Sequence, residues 1–477
     1  MTEHGPAEQR TPDPGLARRV LDDIGQNVNL CYQCVKCTSG CPLAEYFDWQ
    51  PNQVMRAVQL GDTDIALGSE TTWLCASCQT CTTRCPQGID VAGVMEYLTR
   101  EALKQGVKPA VPEVDKFNKA FMREIRIWRR AYELGLMAEL KLRTGRLTQD
   151  IDLGLRMLRK RKMPMLPKVA PRKRPKPVDG AATSVAYYPG CSLHSTATEF
   201  DESARAVAGA LGMRLIEPEG WVCCGSSAAH RADPEVGRSL PLENLALVEK
   251  GGFSEVTMPC ASCFSRHKIA QYEATNGEGA REERGNAETS GDAAAGAPDP
   301  AAVQVTTFIE TITRHVEPAS LAERVERPLS GLRAVCYYGC LLTRPPEATG
   351  AEHPENPTDM DQLMSAVGVD VLDWSYKTAC CGAANSLTRP DIVLQLSGDL
   401  IEHAREAGAE AIVVACPLCH LNLDARQTQM GLAKPMPVLY FTQLMALALG
   451  LPEEAALHKN LIDPRPLMRQ KGFLPLH

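Results

Sequence analysis

Eighteen of the nineteen cysteines in this 477-residue chain fall into four ordered groups, and a fold for the chain has to satisfy all four. Two groups read C-x2-C-x2-C-x3-C-P: Cys31, Cys34, Cys37 and Cys41 before Pro42, and Cys75, Cys78, Cys81 and Cys85 before Pro86. Each of the other two combines a lone cysteine, an adjacent pair followed by glycine, and a C-x2-C. They are Cys191, Cys223 and Cys224 with Gly225, Cys260 and Cys263, and then Cys340, Cys380 and Cys381 with Gly382, Cys416 and Cys419. The N-terminus, MTEHGPAEQRTPDPG, has no apolar core and does not read as a secretory signal. The expected location is the cytoplasm, with peripheral attachment to a membrane as its variant. There thiols stay reduced, and dense cysteine points to metal rather than to disulfides.

A net charge of −7 gives no argument for nucleic acid as a partner. The longest apolar stretches, such as Leu444–Leu451, fall far short of the about 20 residues a membrane span needs, so no transmembrane segment is expected.

Along the chain, residues 1–20 are polar with Pro and Gly and read as a disordered tail, and 21–150 hold the first two cysteine groups. Over 113–147, Phe121, Ile125, Trp128, Tyr132, Leu136 and Leu140 recur at helical steps and predict one long amphipathic helix packed on its own domain, with a surface for a partner subunit as the alternative. Residues 151–182 read as a basic, Pro-rich linker. Its stretch 156–176 carries ten Lys or Arg and no acid, and it is expected to be extended, either as a solvated tether or docked on acidic lipid or an acidic partner. From 183 the chain repeats itself. Cys191, Cys223 and Cys260 find counterparts in Cys340, Cys380 and Cys416 at near-constant offsets, which predicts a duplicated domain over 183–330 and 331–477. Residues 274–304, rich in Ala, Gly, Glu and Asp, read as a disordered insertion in the first copy. Within each copy, strands are predicted over Val185–Tyr188, Arg214–Glu217 and Val256–Met258, and over Ala334–Tyr338, Val369–Trp374 and Ile412–Ala415, with helices such as Glu199–Leu211 and Asp391–Glu406 between them. Each copy is thus an α/β unit with cysteines just beyond strand C-termini, where open α/β sheets gather their ligand sites. The leftover Cys336 reads as a small buried hydrophobe.

Three closely spaced thiolates can hold three corners of a cubane [4Fe–4S] cluster while the fourth reaches the other cluster. By that two-cluster ferredoxin rule, one cluster takes Cys31, Cys34, Cys37 and Cys85, and the second takes Cys75, Cys78, Cys81 and Cys41. Zinc also takes four ligands but seldom needs four cysteines in so short a run. The downstream groups offer five thiolates each, too many for one zinc or one simple cubane. Adjacent cysteines can reach different irons of one assembly. A zinc site using Cys416, Cys419 and the paired cysteines stays open.

Both C-terminal repeats resemble the five-cysteine CCG motif of the B-type polypeptide of heterodisulfide reductase, and the N-terminal runs NLCYQCVKCTSGCP and WLCASCQTCTTRCP resemble its C-type polypeptide. The order, C-like then B-like, is similar to the catalytic subunit of the membrane-bound heterodisulfide reductase, over about residues 25–450 without linker and insertion. The resemblance implies a mainly α two-[4Fe–4S] ferredoxin-like domain followed by two α/β CCG domains. It implies a non-cubane [4Fe–4S] cluster on Cys191, Cys223, Cys224, Cys260 and Cys263, and another on Cys340, Cys380, Cys381, Cys416 and Cys419. The family's two clusters face each other and cleave a disulfide between them. Dithiol couples lie at roughly −120 to −270 mV and low-potential clusters near about −400 mV, so two electrons would supply on the order of 6–13 kcal/mol. The reverse, thiol oxidation, needs only an acceptor of higher potential.

Reducing a disulfide consumes two protons. His194 and His420 adjoin ligand turns and are the candidate catalytic proton donors; His230 and His267 are weaker ones, and Arg266 and Lys268 are candidate anion binders. G-x-G-x-x-G is absent, so neither flavin nor NAD is expected on this chain. Electrons are then exchanged with another protein, either a flavoprotein resembling the A-type polypeptide of heterodisulfide reductase or a membrane cytochrome. Two other functions compete. One is an electron-relay subunit of a glycolate, lactate or glycerol-3-phosphate type dehydrogenase feeding quinone. The other is a scaffold with structural zinc.

Overall fold

The structure, a computed structural model, describes residues 12–164, 183–276 and 299–475. Helix α1 (Leu16–Ile24) turns Leu16, Ala17 and Val20 inward and stops at Gly25, which takes the left-handed conformation. Helix α2 (Pro51–Leu60) opens with proline and a capping box between Gln50 and Gln53. Helix α3 (Val91–Lys104) starts at Asp90, whose carboxylate accepts from the Gly93 amide. Val20, Val54, Val58, Val94 and Leu98 make a small core beneath the two four-cysteine runs. Helix begins at Leu16, within the stretch expected to be a tail over 1–20; residues 1–11 of it lie outside the described residues.

The single helix expected over 113–147 is a hairpin, α4 (Pro112–Trp128) and α5 (Glu133–Thr144), hinged at Arg129 with φ 59°. The apolar period runs across the hinge, and no Gly or Pro marks it. Nor does the hairpin pack only on its own domain. Val114 meets Trp73 and Leu74, but Ala120, Phe121, Ile125 and Leu136 cover Val222, Cys223, Ala229 and Leu240 of the first repeat. The expected linker also begins as helix, α6 (Ile151–Arg159), with Leu153 and Met157 buried beside Ala425 of the second repeat. Residues 165–182 of that linker, like 277–298 of the expected insertion, lie outside the described residues.

The repeats are α/β units with four-stranded parallel sheets. The first holds β1 (Thr183–Tyr187), α7 (Thr198–Ala210), β2 (Met213–Ile216), α8 (Pro234–Lys250), β3 (Glu255–Met258), α9 (Ala261–Asn276) and β4 (Gln304–Thr307), in sheet order β2-β1-β3-β4. The second holds β5 (Arg333–Tyr337), β6 (Asp370–Val371), α10 (Pro390–Glu406), β7 (Ala411–Val414), β8 (Val438–Tyr440) and α11 (Phe441–Ala448), in order β6-β5-β7-β8. Register pairs Ala186 with Val256 in the first sheet and Tyr337 with Val414 in the second. Two differences from the sequence reading stand out. β4 and β8 are not among the expected strands, and β6 spans two residues rather than Val369–Trp374. Edge strands this short carry little periodicity to read. Strand order reverses between β1 and β3, and again between β5 and β7, so each central crevice is a switch point at which open α/β sheets bind their ligands. One core runs through both repeats. Phe200 of α7 stacks on Tyr440 at 4.1 Å, and Ser203 hydrogen-bonds Thr442 at 2.7 Å. Burying a side chain such as Phe200 contributes roughly 1.5–3 kcal/mol to holding the two halves together. Cys336, on β5, is fully buried in that core.

Candidate iron–sulfur centres

The four-cysteine runs are shaped by backbone strain. Gln33 (φ 61°) and Val35 (φ 65°) flank Cys34, and Ser77 (φ 50°) and Gln79 (φ 61°) flank Cys78. Left-handed backbone at non-glycine residues costs on the order of 1–3 kcal/mol each and clusters at functional sites; for β-branched Val35 it is exceptional. The turns wind the chain around two centres. Cys37 lies with Cys31 and Cys34. Cys41, the last cysteine of the first run, lies instead with Cys75, Cys78 and Cys81 around one small cavity. Burial pushes the thiols of Cys41, Cys75 and Cys81 up, that of Cys75 to about 11. Thiolates gathered there need a positive centre to neutralise them, and an iron–sulfur cluster is one.

In the repeats the lone cysteine follows a glycine, Gly190 (φ 69°) or Gly339 (φ 72°). A Cβ at Gly190 would stand 2.8 Å from the Cys263 sulfur, and one at Gly339 would stand 2.9 Å from that of Cys419. Each set therefore closes around space that only glycine leaves free. The sulfurs of Cys224 and Cys263 are 3.4 Å apart, and those of Cys381 and Cys419 3.6 Å. Backbone amides point at the sulfurs, Ala131 to Cys191 at 3.3 Å, Ser226 to Cys224 at 3.4 Å and Gly382 to Cys380 at 3.3 Å. Five soft sulfur donors with amides aimed at them suit a multi-iron cluster.

The sets touch one another. Contact with Cys380, ahead of burial, raises the Cys78 thiol, so the second N-terminal centre abuts the second repeat. Cys260 lies between Cys263 and Cys416, so the two repeats meet at their C-x2-C turns. A cavity of about 460 Å³ opens onto Cys191, Cys223, Cys224, Cys260 and Cys263. Ala383, Ser386 and Asn422 of the second repeat and the apolar faces of α5 and α6 form its other walls, and the second repeat's own cysteines do not line it.

The histidines stand elsewhere. His194 is half-buried, 3.1 Å from Glu217 and edge-on to Trp221. His420 is buried, stacked on Tyr440 with Nε2 3.1 Å from the Val438 carbonyl. His230 pairs with Glu96, and His267 hydrogen-bonds Asn244 and the Cys263 carbonyl. None of the four lines the large cavity, nor do Arg266 and Lys268. Two buried arginines that the sequence reading does not single out pin the N-terminal domain to the repeats. Arg231 donates to the Trp73 and Cys75 carbonyls and to Ser77. Arg344 donates to Thr80 at 2.8 Å and to Thr378. Their partners in the N-terminal domain lie more than 150 residues away in the chain, and no local pattern announces such contacts.

Residues 30–90 match the 4Fe-4S dicluster domain model, and residues 185–266 and 334–424 match the cysteine-rich domain model. Both domain types indicate iron–sulfur clusters. The membrane anchor subunit of 8-methylmenaquinol:fumarate reductase from Wolinella succinogenes is 32% identical over 293 residues, 59% of this chain and 98% of that one. The B polypeptide of the ferredoxin/F(420)H(2)-dependent CoB-CoM heterodisulfide reductase from Methanosarcina acetivorans is 27% identical over 284 residues, 57% of this chain and 92% of that one. The iron-sulfur C polypeptide of the CoB–CoM heterodisulfide reductase from Methanopyrus kandleri is 35% identical over 80 residues, 17% of this chain and 42% of that one. No helix among the described residues is long and apolar enough to cross a membrane.

Proposed function

This chain belongs to the heterodisulfide reductase family, with C-like and B-like parts in one polypeptide, and we propose that it is the disulfide-reducing subunit of an electron-transfer complex. Cys31, Cys34, Cys37 and Cys85, and Cys75, Cys78, Cys81 and Cys41, hold two cubane clusters. Cys191, Cys223, Cys224, Cys260 and Cys263, and Cys340, Cys380, Cys381, Cys416 and Cys419, hold two non-cubane clusters. When bound, these centres supply single electrons, two of which divide a disulfide: R–S–S–R with two electrons and two protons gives two R–SH. The chain's own residues order the route. Arg231 and Arg344 fix the N-terminal domain, Cys78 meets Cys380, and Cys416 meets Cys260. The observation that carries the reading is this unbroken series of cysteine contacts ending at a substrate-sized cavity on the first repeat. A partner protein, flavoprotein or cytochrome, supplies or withdraws the electrons at the N-terminal runs.

Changing Cys224 or Cys381 to Ser tests this. Either variant is expected to lose disulfide reduction while the N-terminal clusters still accept electrons from a chemical reductant. Undiminished turnover in either one sinks the assignment. One observation favours a second reading, a relay between a dehydrogenase and quinone: the relative at 32% identity carries the name of an 8-methylmenaquinol:fumarate reductase. A relay predicts that added thiols leave the EPR spectrum of the oxidised protein unchanged.

A further inference from the structure

Reducing a disulfide consumes two protons, and no histidine lines the cavity that reaches the first-repeat cysteines. Among the described residues, two carboxyl groups line it, those of Glu133 and Asp150. Asp150 pairs with Arg426 at 3.2 Å and accepts from Gln429 at 2.9 Å, which keeps it an anion. Glu133 has no such partner. The other two cations of the cavity are turned to different groups, Lys141 to the Gln149 carbonyl and Arg146 to Glu113 at 2.8 Å. The α4–α5 hinge brings Glu133 to the first repeat. Two residues past Arg129, the Ala131 amide donates to the Cys191 sulfur at 3.3 Å, and Glu133 then opens α5. It stands between the large cavity and a small pocket that it shares with Cys191, Arg130 and His194. In that pocket Arg130 lies over the Trp221 ring at 3.6 Å and donates to the Trp221 carbonyl, and His194 pairs with Glu217. The Glu133 Oε1 accepts from Ser192 at 3.2 Å and from Thr196 at 3.3 Å, while Oε2 is buried without a donor. A bare carboxylate oxygen away from water is costly, whereas a protonated one carries its own hydrogen. Burial accordingly pushes the Glu133 carboxyl up, against the pull of the Ser195, Thr196 and Ser192 hydroxyls.

We infer that Glu133 is the proton donor of this cavity. The role rests on the reading of the first-repeat cysteines as the reacting centre. Two electrons from the reduced clusters break the S–S bond and leave two thiolates. One of them takes the Glu133 proton, so that R–S⁻ and the carboxylic acid become R–SH and the carboxylate. Solvent protonates the second thiolate and restores the acid. In the reverse direction the Glu133 carboxylate takes the proton of an entering thiol. Glu133→Gln in the full, cluster-loaded chain tests this, because it keeps an oxygen for Ser192 and Thr196 and removes only the proton. Iron content and cluster EPR spectra should match those of the wild type. With reduced methyl viologen as the electron source and bis(2-hydroxyethyl) disulfide as the probe, kcat should fall at least about 100-fold. The wild-type rate should decline as the pH rises through the Glu133 titration, and the variant should lack that limb. Infrared difference spectra give a readout that needs no turnover. A carboxylic-acid C=O band should be present at neutral pH in the wild type and missing from Glu133→Gln. Absence of a Glu133-dependent band overturns the donor, as does wild-type turnover whose rate and pH profile the substitution leaves unchanged. A variant that loses iron makes Glu133 a prop of the Cys191 turn and overturns the donor too. If the band is present but the wild type reduces no disulfide, it is the disulfide reading that fails, and the donor role falls with it.

Discussion

Gly190 and Gly339 show how much the cysteine sets depend on single backbone positions. At each, a methyl group would press on a sulfur of the same repeat, and the positive φ adds roughly 1–2 kcal/mol of strain for any L-side chain. Gly190→Ala is therefore expected to lose about four iron per chain, all from the first repeat, while Gly339→Ala loses the same from the second. Iron analysis beside EPR of the N-terminal clusters checks this; full iron in either variant contradicts the cradle. The sequence shows all eighteen clustered cysteines and their grouping, because ligand spacing is a local property. It does not show that His194 and His420, each next to a ligand turn, are absent from the lining of the large cavity, His194 sharing a smaller pocket with Cys191 instead. Side-chain direction there is set by Glu217, Tyr440 and Val438, none of them adjacent in the chain.

Helix α6 and the segment behind it bind the two repeats together. Lys162, three residues past the helix, is buried and pairs with the buried Glu199 of α7 at 2.5 Å. Lys162→Met would leave that carboxylate without its counter-charge and should cost roughly 3–5 kcal/mol of stability in denaturant unfolding. Adding Glu199→Gln should recover much of the loss; a single variant as stable as the wild type would mean that the pair does not brace the fold. Arg344 acts between elements in a similar way. Arg344→Gln strands buried Thr80 and Thr378 groups at a cost of about 1–3 kcal/mol, and it should slow reduction of the repeat clusters after the N-terminal clusters are reduced. Time-resolved EPR would show the lag, and its absence would remove Arg344 from the docking of the two parts. Helices and central strands are legible from periodicity, but the hinge at Arg129 is not. The apolar steps Phe121, Ile125 and Leu136, Leu140 keep helical phase through it, and only packing on the first repeat reveals that the chain turns. The basic composition of 156–176 suggests extended chain. Its first residues nevertheless close the helix Ile151–Arg159, which buries Leu153 and Met157.

At the scale of the whole molecule, the duplication does not give two equivalent sites. The second repeat's Cys380 touches Cys78 of the N-terminal domain, whereas the first repeat's cysteines open to the cavity; under the proposed function the copies would serve as entry and reaction sides. The cysteine spacing of the motifs does not distinguish them, because the difference arises from the α4–α5 hairpin, whose Ala120, Phe121, Ile125 and Leu136 cover the first repeat. Under the proposed function both repeats hold iron and sulfur chemistry takes place there. The most direct test is iron, sulfide and zinc content of the anaerobically purified chain, with EPR as thiols are added under oxidising conditions. About sixteen iron per chain, no zinc, and a new thiol-dependent signal that Cys224→Ser abolishes is the expected result. About eight iron with zinc, or sixteen iron with no thiol-dependent signal, would contradict it, pointing to a zinc scaffold in the first case and an electron relay in the second.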